Sequence, residues 1–206
     1  MTTIFLHGLG QGPESWLPVS RGLEGQVPDL FALAGKEGAR YPVLYRAFAG
    51  YCGGFAGPLR LCGLSLGGIL ALQYAVEHPE RVEALVLIGT QYVMPMGLLR
   101  FQNGVFRLLP GSAFRKMGLS KRDVIGLTDS MLDLDFRGEL GTVSCPTLVL
   151  CGERDRANRK AAQGLQAGIP GAELAWIPGA GHEVNRDAPE ALAEALRSFF
   201  QRAGKA

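Results

Sequence analysis

The chain has 206 residues, with 21 Lys and Arg against 19 Asp and Glu and a formal net charge of +2. That length suits a single domain able to bury about 70% of its unfolded surface in one core, and the near balance of charge argues against a nucleic-acid partner. No apolar run approaches the ~20 residues that cross a bilayer, and the start, Met1 to His7, has neither the basic segment nor the small-residue cleavage site of a signal peptide. The four cysteines, Cys52, Cys62, Cys145 and Cys151, form no C-x-x-C pair. Cys62 and Cys151 lie in apolar runs, where a thiol behaves as a small hydrophobe. A reduced, cytoplasmic protein is expected, without disulfides, metal or cofactor, off the membrane, and monomeric or homodimeric.

In chain order, Thr2 to Leu6 predicts a strand that must stop at His7-Gly8-Leu9-Gly10, a Gly-rich loop whose backbone N–H groups can face a ligand. Glu14 to Gly22 reads as a short helix with Trp16, Leu17 and Val19 inward. Gln26 to Leu30 predicts a second strand, at an end or edge because Pro28 lacks a backbone donor. Tyr41, Leu44, Phe48 and Tyr51 recur at helical spacing, so a helix spans about Tyr41 to Cys52.

The stretch Leu59 to Leu72 carries the most information. An apolar run ends at Gly63, Ser65 follows, and Gly67-Gly68 open an apolar helical pattern that runs to Glu77-His78, before Pro79. Strand, sharp turn and helix would put Ser65 at the apex in a strained backbone, with residues lacking a Cβ letting strand and helix approach. Gly63-Leu64-Ser65-Leu66-Gly67 fits a nucleophile elbow; the bland alternative makes Ser65 a helix N-cap. Val82 to Ile88 predicts a buried strand. Residues 91 to 139 read as mostly helical, with no strand-like run. A strand at Pro146 to Cys151, a helix near Asn158 to Ala167 and a strand at Glu173 to Ile177 follow. The last helix is expected to start at Asp187, with Glu190 closing a capping box.

Strands alternating with helices predict an α/β fold, a mainly parallel, doubly wound sheet of about six strands. Ligands bind beyond the carboxyl ends of such strands, and that edge would collect His7, Ser65, Asp155 and His182. A serine needs a base to act as nucleophile at neutral pH. His78, at a helix C-terminus, suits the helix dipole, and His7 suits a role in shaping its loop, which leaves His182 as the base. Asp155 is favoured as its acidic partner over Glu153, Asp129, Asp133 and Asp135. The N–H groups of Leu66 and Leu9 are the natural donors for an oxyanion.

These motifs, His7-Gly8-x-Gly10 with Trp16, Gly63-Leu-Ser65-Leu-Gly67-Gly68, Gly152-Glu-Arg-Asp155 and Ala180-Gly181-His182, resemble the α/β-hydrolase superfamily. The likeness is to its small esterases and to the capped synthases of menaquinone biosynthesis. The resemblance covers nearly the whole chain and implies Ser65 as nucleophile, His182 as base, Asp155 as acid, and Leu9 and Leu66 as oxyanion-hole donors. It departs from the family in lacking the usual first two strands, and Phe31 to Arg40 lack a small-residue turn. It divides the chain into core (1–90), a helical lid insertion (91–139) and core again (140–206).

The insertion holds Met94, Met96, Met117 and Met131 with Leu98, Leu99, Phe101, Phe106, Leu108, Leu109 and Phe114; Met suits an acyl or aromatic guest. Met94, Leu98, Phe101 and Phe106 are the candidate substrate-binding residues, although the same side chains could merely seat the insertion on the sheet. Arg100, Arg107, Arg115, Lys116, Lys121 and Arg122 accumulate without a carboxylate from Ala84 to Arg122. This motivates the hypothesis of an anionic or carrier-linked acyl substrate. The expected activity is a serine hydrolase cleaving a small ester or thioester through an acyl-enzyme. The alternatives are a lyase or synthase using the same triad and a non-catalytic ligand receptor. A dehalogenase is disfavoured, because that chemistry on this fold places an Asp where Ser65 stands.

Overall fold

Five short, mainly apolar segments build one sheet: β1 (Thr2–Leu6), β2 (Leu59–Leu64), β3 (Val82–Ile88), β4 (Thr147–Gly152) and β5 (Glu173–Ile177). All neighbouring pairs run parallel, in the order β1-β2-β3-β4-β5. The structure, a computed structural model, describes residues 1–204 other than Pro95, Ala113, Arg115, Lys116 and Met117, and for Lys36, Leu98, Arg100, Phe101 and Gln102 the backbone only. Helices fill the crossovers: α1 (Leu17–Ser20), α2 (Leu30–Ala34), α3 (Tyr41–Gly53), α4 (Leu66–Glu77), α5 (Met96–Leu108), α6 (Lys121–Asp129), α7 (Arg159–Gly168), α8 (Val184–Asp187) and α9 (Pro189–Ala203).

Parallel strands joined by helices must bury both faces, and the core is accordingly split in two. One face packs Tyr41, Leu44 and Phe48 of α3, Ile69 to Leu72 of α4, and Ala162 and Leu165 of α7 against Leu61, Leu85 and Val149. The other packs Trp16, Val19 and the α9 residues Leu192, Leu196, Phe199 and Phe200 against Phe5, Val86 and Leu150. The doubly wound α/β architecture expected from the sequence is the one observed.

Three local expectations need correction. Gln26 to Leu30 is not a strand: Gln26 makes a single parallel bridge to Ile4, and the chain turns into α2 at Leu30 under the cap of Asp29 Oδ1, which accepts from the Phe31 and Ala32 N–H groups at 3.0 Å. Pro28 has no N–H to extend the ladder beyond that bridge. Leu17 is 60% exposed, since a short 3₁₀ turn over Pro13–Trp16 precedes α1 and changes the phase of the apolar face. Asp187 does not cap the last helix: it ends α8, Ala188 at φ −147° separates α8 from α9, and the Asp187 carboxylate accepts from the Gly181 N–H at 2.7 Å.

The insertion is anchored where it leaves and rejoins the core. Met94 donates to the Leu134 carbonyl at 3.1 Å and Phe136 to that of Tyr92 at 2.8 Å, so its two ends clip together as an antiparallel bridge. Helices α5 and α6 pack on each other, tied by Asn103 Nδ2 donating to Asp129 at 2.6 Å and the Thr128 hydroxyl donating to Asn103 Oδ1 at 2.6 Å.

Candidate active site

Ser65 sits where β2 hands over to α4. Its backbone, at φ 52° and ψ −112°, is in the left-handed region, and Ser65 is the one non-glycine residue there among those described. Such strain costs of order 1–3 kcal/mol and persists where the surroundings over-determine it. The surroundings here are glycines: a Cβ on Gly63 would lie 2.3 Å from the Gly67 carbonyl oxygen, and one on Gly67 would lie 2.4 Å from that of Leu6. The Ser65 N–H is held by the Ile88 carbonyl at 2.8 Å, while its side chain caps no N–H of α4. The hydroxyl is therefore not spent on the helix, which removes the N-cap alternative.

Asp155 and His182 come from the loops after β4 and β5. Gly152 lets these loops touch, since a Cβ there would lie 2.0 Å from the Gly181 carbonyl oxygen. His182 Nδ1 is 2.7 Å from Asp155 Oδ2. Asp155 is 6% exposed, and burial acts to raise its pKa. Hydrogen bonds from His182 and Asn158 outweigh burial and hold the carboxyl below its ordinary value. An ionised Asp155 fixes the imidazole with its proton on Nδ1, leaving Nε2 as an acceptor.

His7 plays a different part. It is fully buried, its Nδ1 pairs with the Gly8 carbonyl at 3.0 Å, and its Nε2 accepts from the Leu30 N–H at 3.1 Å. Burial lowers its pKa, so the ring is neutral and shapes the loop that carries Leu9. His78 lies at the C-terminal end of α4, its ring against Tyr74. The N–H of Leu66, first in α4, has no intrahelical acceptor, and the N–H of Leu9 has no backbone partner among the described residues.

Ser65, Leu66, Leu9 and His182 line one cavity of about 610 Å³. Its far wall comes from the insertion, with Val93, Met94, Leu99, Leu127 and Met131, and its side from the start of α7. Of the candidate substrate-binding residues, Met94 lines this cavity. Phe106 does not; its ring packs edge-on against Phe114 with centroids 5.4 Å apart. The side chains of Leu98 and Phe101 lie outside the described residues. So do Arg115, Lys116, Met117 and the Arg100 side chain. Arg107 pairs with Asp129 at 3.1 Å, and Lys121 Nζ donates to the Arg107 and Leu109 carbonyls at 2.7 Å, closing the end of α5. Those two cations are engaged within the insertion.

Sequence reasoning missed several residues that build the site. Gln11 and Asn185 exchange amide hydrogen bonds at 3.2 and 3.1 Å, and Gln11 Oε1 accepts from the Gly8 N–H at 3.4 Å. This stitches the Leu9 loop to the helix following His182. Asp187 fixes the same His182 loop through Gly181. Asn158 donates to Asp155, and Gln91 donates to Asn158. Nothing local in the sequence marks these residues, because their partners lie far along the chain.

A five-stranded parallel sheet packed by helices on both faces, with Ser65, Asp155 and His182 at the carboxyl ends of its strands, is the architecture of an α/β-hydrolase-type core. Residues 3–195 match the model of the alpha/beta hydrolase family, and the chain belongs to that family. Over 191 residues it is 30% identical to the polyketide synthase ThaQ of Burkholderia thailandensis, covering 76% of this chain and 9% of that protein. Over 91 residues it is 39% identical to the pimeloyl-[acyl-carrier protein] methyl ester esterase of Aromatoleum aromaticum, covering 42% of this chain and 36% of the esterase. The chain thus spans well under two thirds of either relative. Among solved structures, a thermophilic esterase from Thermogutta terrifontis superposes with a TM-score of 0.81 at 23% identity, over 98% of this chain and 90% of the other. Among the described residues, no helix is long and apolar enough to cross a membrane.

Proposed function

We propose that the protein is a serine hydrolase that cleaves a small carboxylic ester or thioester through an acyl-enzyme. Ser65 Oγ attacks the substrate carbonyl carbon while His182 Nε2 takes its proton, and the ionised Asp155 stabilises the resulting imidazolium. The carbonyl oxygen gains the electron pair and is met by the N–H groups of Leu66 and Leu9. Collapse of this intermediate expels the alcohol or thiol, which receives the proton from His182. Water, deprotonated by His182, then releases the acid and restores Ser65.

The single observation that supports this reading best is the 2.7 Å Asp155–His182 hydrogen bond opening on the same cavity as the uncommitted Ser65 hydroxyl. No hydrogen bond joins Ser65 Oγ to His182 among those described; in the proposal the two close on one another as the acyl group seats, as catalytic contacts commonly do. The cavity falls within the range of about 300–1,000 Å³ typical of small-molecule sites, and its Met, Leu and Val wall suits an apolar acyl chain. The esterase relative at 39% identity over 91 residues supports ester as the bond class.

The test is hydrolysis of p-nitrophenyl and thioesters graded from two to ten carbons by wild type and Ser65→Ala. The reading expects activity rising with chain length until the cavity is full, and loss by up to ~10⁶-fold in Ser65→Ala. Equal hydrolysis by both proteins overturns it. An enzyme silent toward every ester yet labelled at Ser65 by a phosphonate points instead to proton abstraction and elimination by the same triad.

A further inference from the structure

Asn158 has no part in the reaction just described, yet it supplies three of the four hydrogen bonds that the described residues make to the Asp155 carboxylate. Its Nδ2 donates to Oδ1 at 3.0 Å and to Oδ2 at 2.8 Å, and its backbone N–H donates to Oδ1 at 3.3 Å; His182 makes the fourth, at 2.7 Å. Asn158 is 8% exposed, so these bonds are shielded from water. An Asn amide can face a carboxylate in only one way, since the flipped amide would aim its own oxygen at two carboxylate oxygens. What fixes the orientation is Gln91, whose Nε2 donates to Asn158 Oδ1 at 2.7 Å. Gln91 is the first residue of the insertion and lines the cavity.

Accepting the hydrolase reading above, on which this rests, we infer that Gln91 and Asn158 are positioning residues. Gln91 locks the Asn158 amide with its NH₂ toward Asp155, and Asn158 holds the carboxylate on His182. The root of the 91–139 insertion thereby sets the placement and strength of the base, through a chain of side chains running Gln91, Asn158, Asp155, His182. The insertion then does more than wall the cavity: displacing Gln91 releases the amide that orders the acid.

The consequence for charge has a definite sign. Donors from Asn158 spread the negative charge of Asp155, so their removal strengthens its pull on the His182 proton. The acidic limb of kcat/KM, which the Asp155–His182 pair sets, would then move up. The other charged and titratable groups around this pair are few. Glu183 pairs with Arg186 at 3.0 Å and Asp187 accepts from Gly181. Cys151 lies against the Asp155 backbone carbonyl, with Arg159 near it. Lys160 and Tyr92 line the cavity from α7 and the insertion root. None of these is altered by the substitutions below.

The test is a double-mutant cycle with Gln91→Met, which keeps the length of the side chain and removes its donor, and Asn158→Ala. Each is assayed on the best ester for kcat, KM and the pH dependence of kcat/KM. Asn158→Ala is expected to lower kcat by about 10- to 100-fold, as for hydrogen bonds to a charged group, and to raise the acidic limb by up to about one pH unit. Gln91→Met is expected to lower kcat by about 2- to 10-fold with KM within roughly twofold, and to have no effect once Asn158 is Ala. Should Asn158→Ala fail to fold, Asn158→Ser retains one side-chain donor beside the backbone N–H and is expected to show the same upward shift at smaller size. Additive effects of the two substitutions, a change in KM alone for Gln91→Met, or an acidic limb that stays put or moves down overturns the inference. The hydrolase reading fails separately: Ser65→Ala run in the same assay must be inactive. Where it is inactive and the cycle is additive, the positioning role alone is lost.

Discussion

Replacing Gly63 by Ala tests how the apex of the β2–α4 turn is built. A Cβ at position 63 would lie 2.3 Å from the Gly67 carbonyl oxygen, 2.4 Å from its carbon and 2.5 Å from the Gly68 nitrogen. All three are backbone atoms of α4's first turn, so no side chain can swing aside. Ordinary contact begins near 3.4 Å, and the start of α4 must therefore retreat by about 1 Å. Overpacking of this kind costs typically about 1–3 kcal/mol. The same retreat carries the Leu66 N–H and Ser65 away from the cavity, and a misplacement of about 1 Å can cost on the order of 10²-fold in rate. Stability read by urea denaturation and kcat read on the same ester, under conditions where the variant stays folded, should both fall by those amounts. A Gly63→Ala protein with wild-type stability and rate would show that strand and helix do not meet as described, and the case for a constrained Ser65 would go with it.

Further outcomes follow from the same geometry. In Gly89→Ala, a residue at φ 53° gains a Cβ 3.0 Å from the His182 ring and 3.3 Å from Asp155 Oδ2. It should lower kcat at least tenfold while destabilising by only about 1–3 kcal/mol, and equal thermal melts with unchanged kcat would count against it. Asp155 has a folded pKa below its unfolded value near 3.9, so it stabilises above that value and loses its contribution as pH falls through the folded one. Denaturant stability of wild type should therefore drop on acidification below about pH 4 more steeply than that of Asp155→Asn; parallel curves would contradict this. The four cysteines are buried, and burial pushes the thiol of Cys52 up to about 12 and that of Cys151 up to about 11. A thiol reagent at pH 8 should react with all four only after unfolding, and rapid reaction of the native protein would refute the described packing.

The parts of the site that were legible from sequence are those whose geometry is enforced within a few residues. Gly63, Ser65 and Gly67 announce a close strand–helix approach, since each glycine meets backbone where a Cβ would stand. Asp155 and His182 were legible because parallel strands bring every loop after a carboxyl end to one edge. The Gln26 bridge was less so: a run of β-type residues does not reveal that the chain will be claimed by an Asp29-capped helix four residues later. Asp187 looked like a cap, but the Gly181 N–H competed for its carboxylate and won. Within the insertion, apolar residues have two apolar destinations, each other and the cavity. Met94 went to the cavity while Phe106 went to Phe114, and helical periodicity cannot tell the two apart. Gln11, Asn185, Gln91 and Asn158 were silent because an amide's partners are chosen by tertiary closure.

The claim that everything else depends on is that the Ser65 oxygen is the nucleophile. Incubation of the native protein with a fluorophosphonate, followed by intact-mass and peptide mass spectrometry, measures this directly. The account predicts a single adduct on the peptide bearing Ser65, abolished in Ser65→Ala and strongly slowed in His182→Ala. Labelling of wild type and Ser65→Ala to the same extent, or an adduct mapped to another residue, would contradict it.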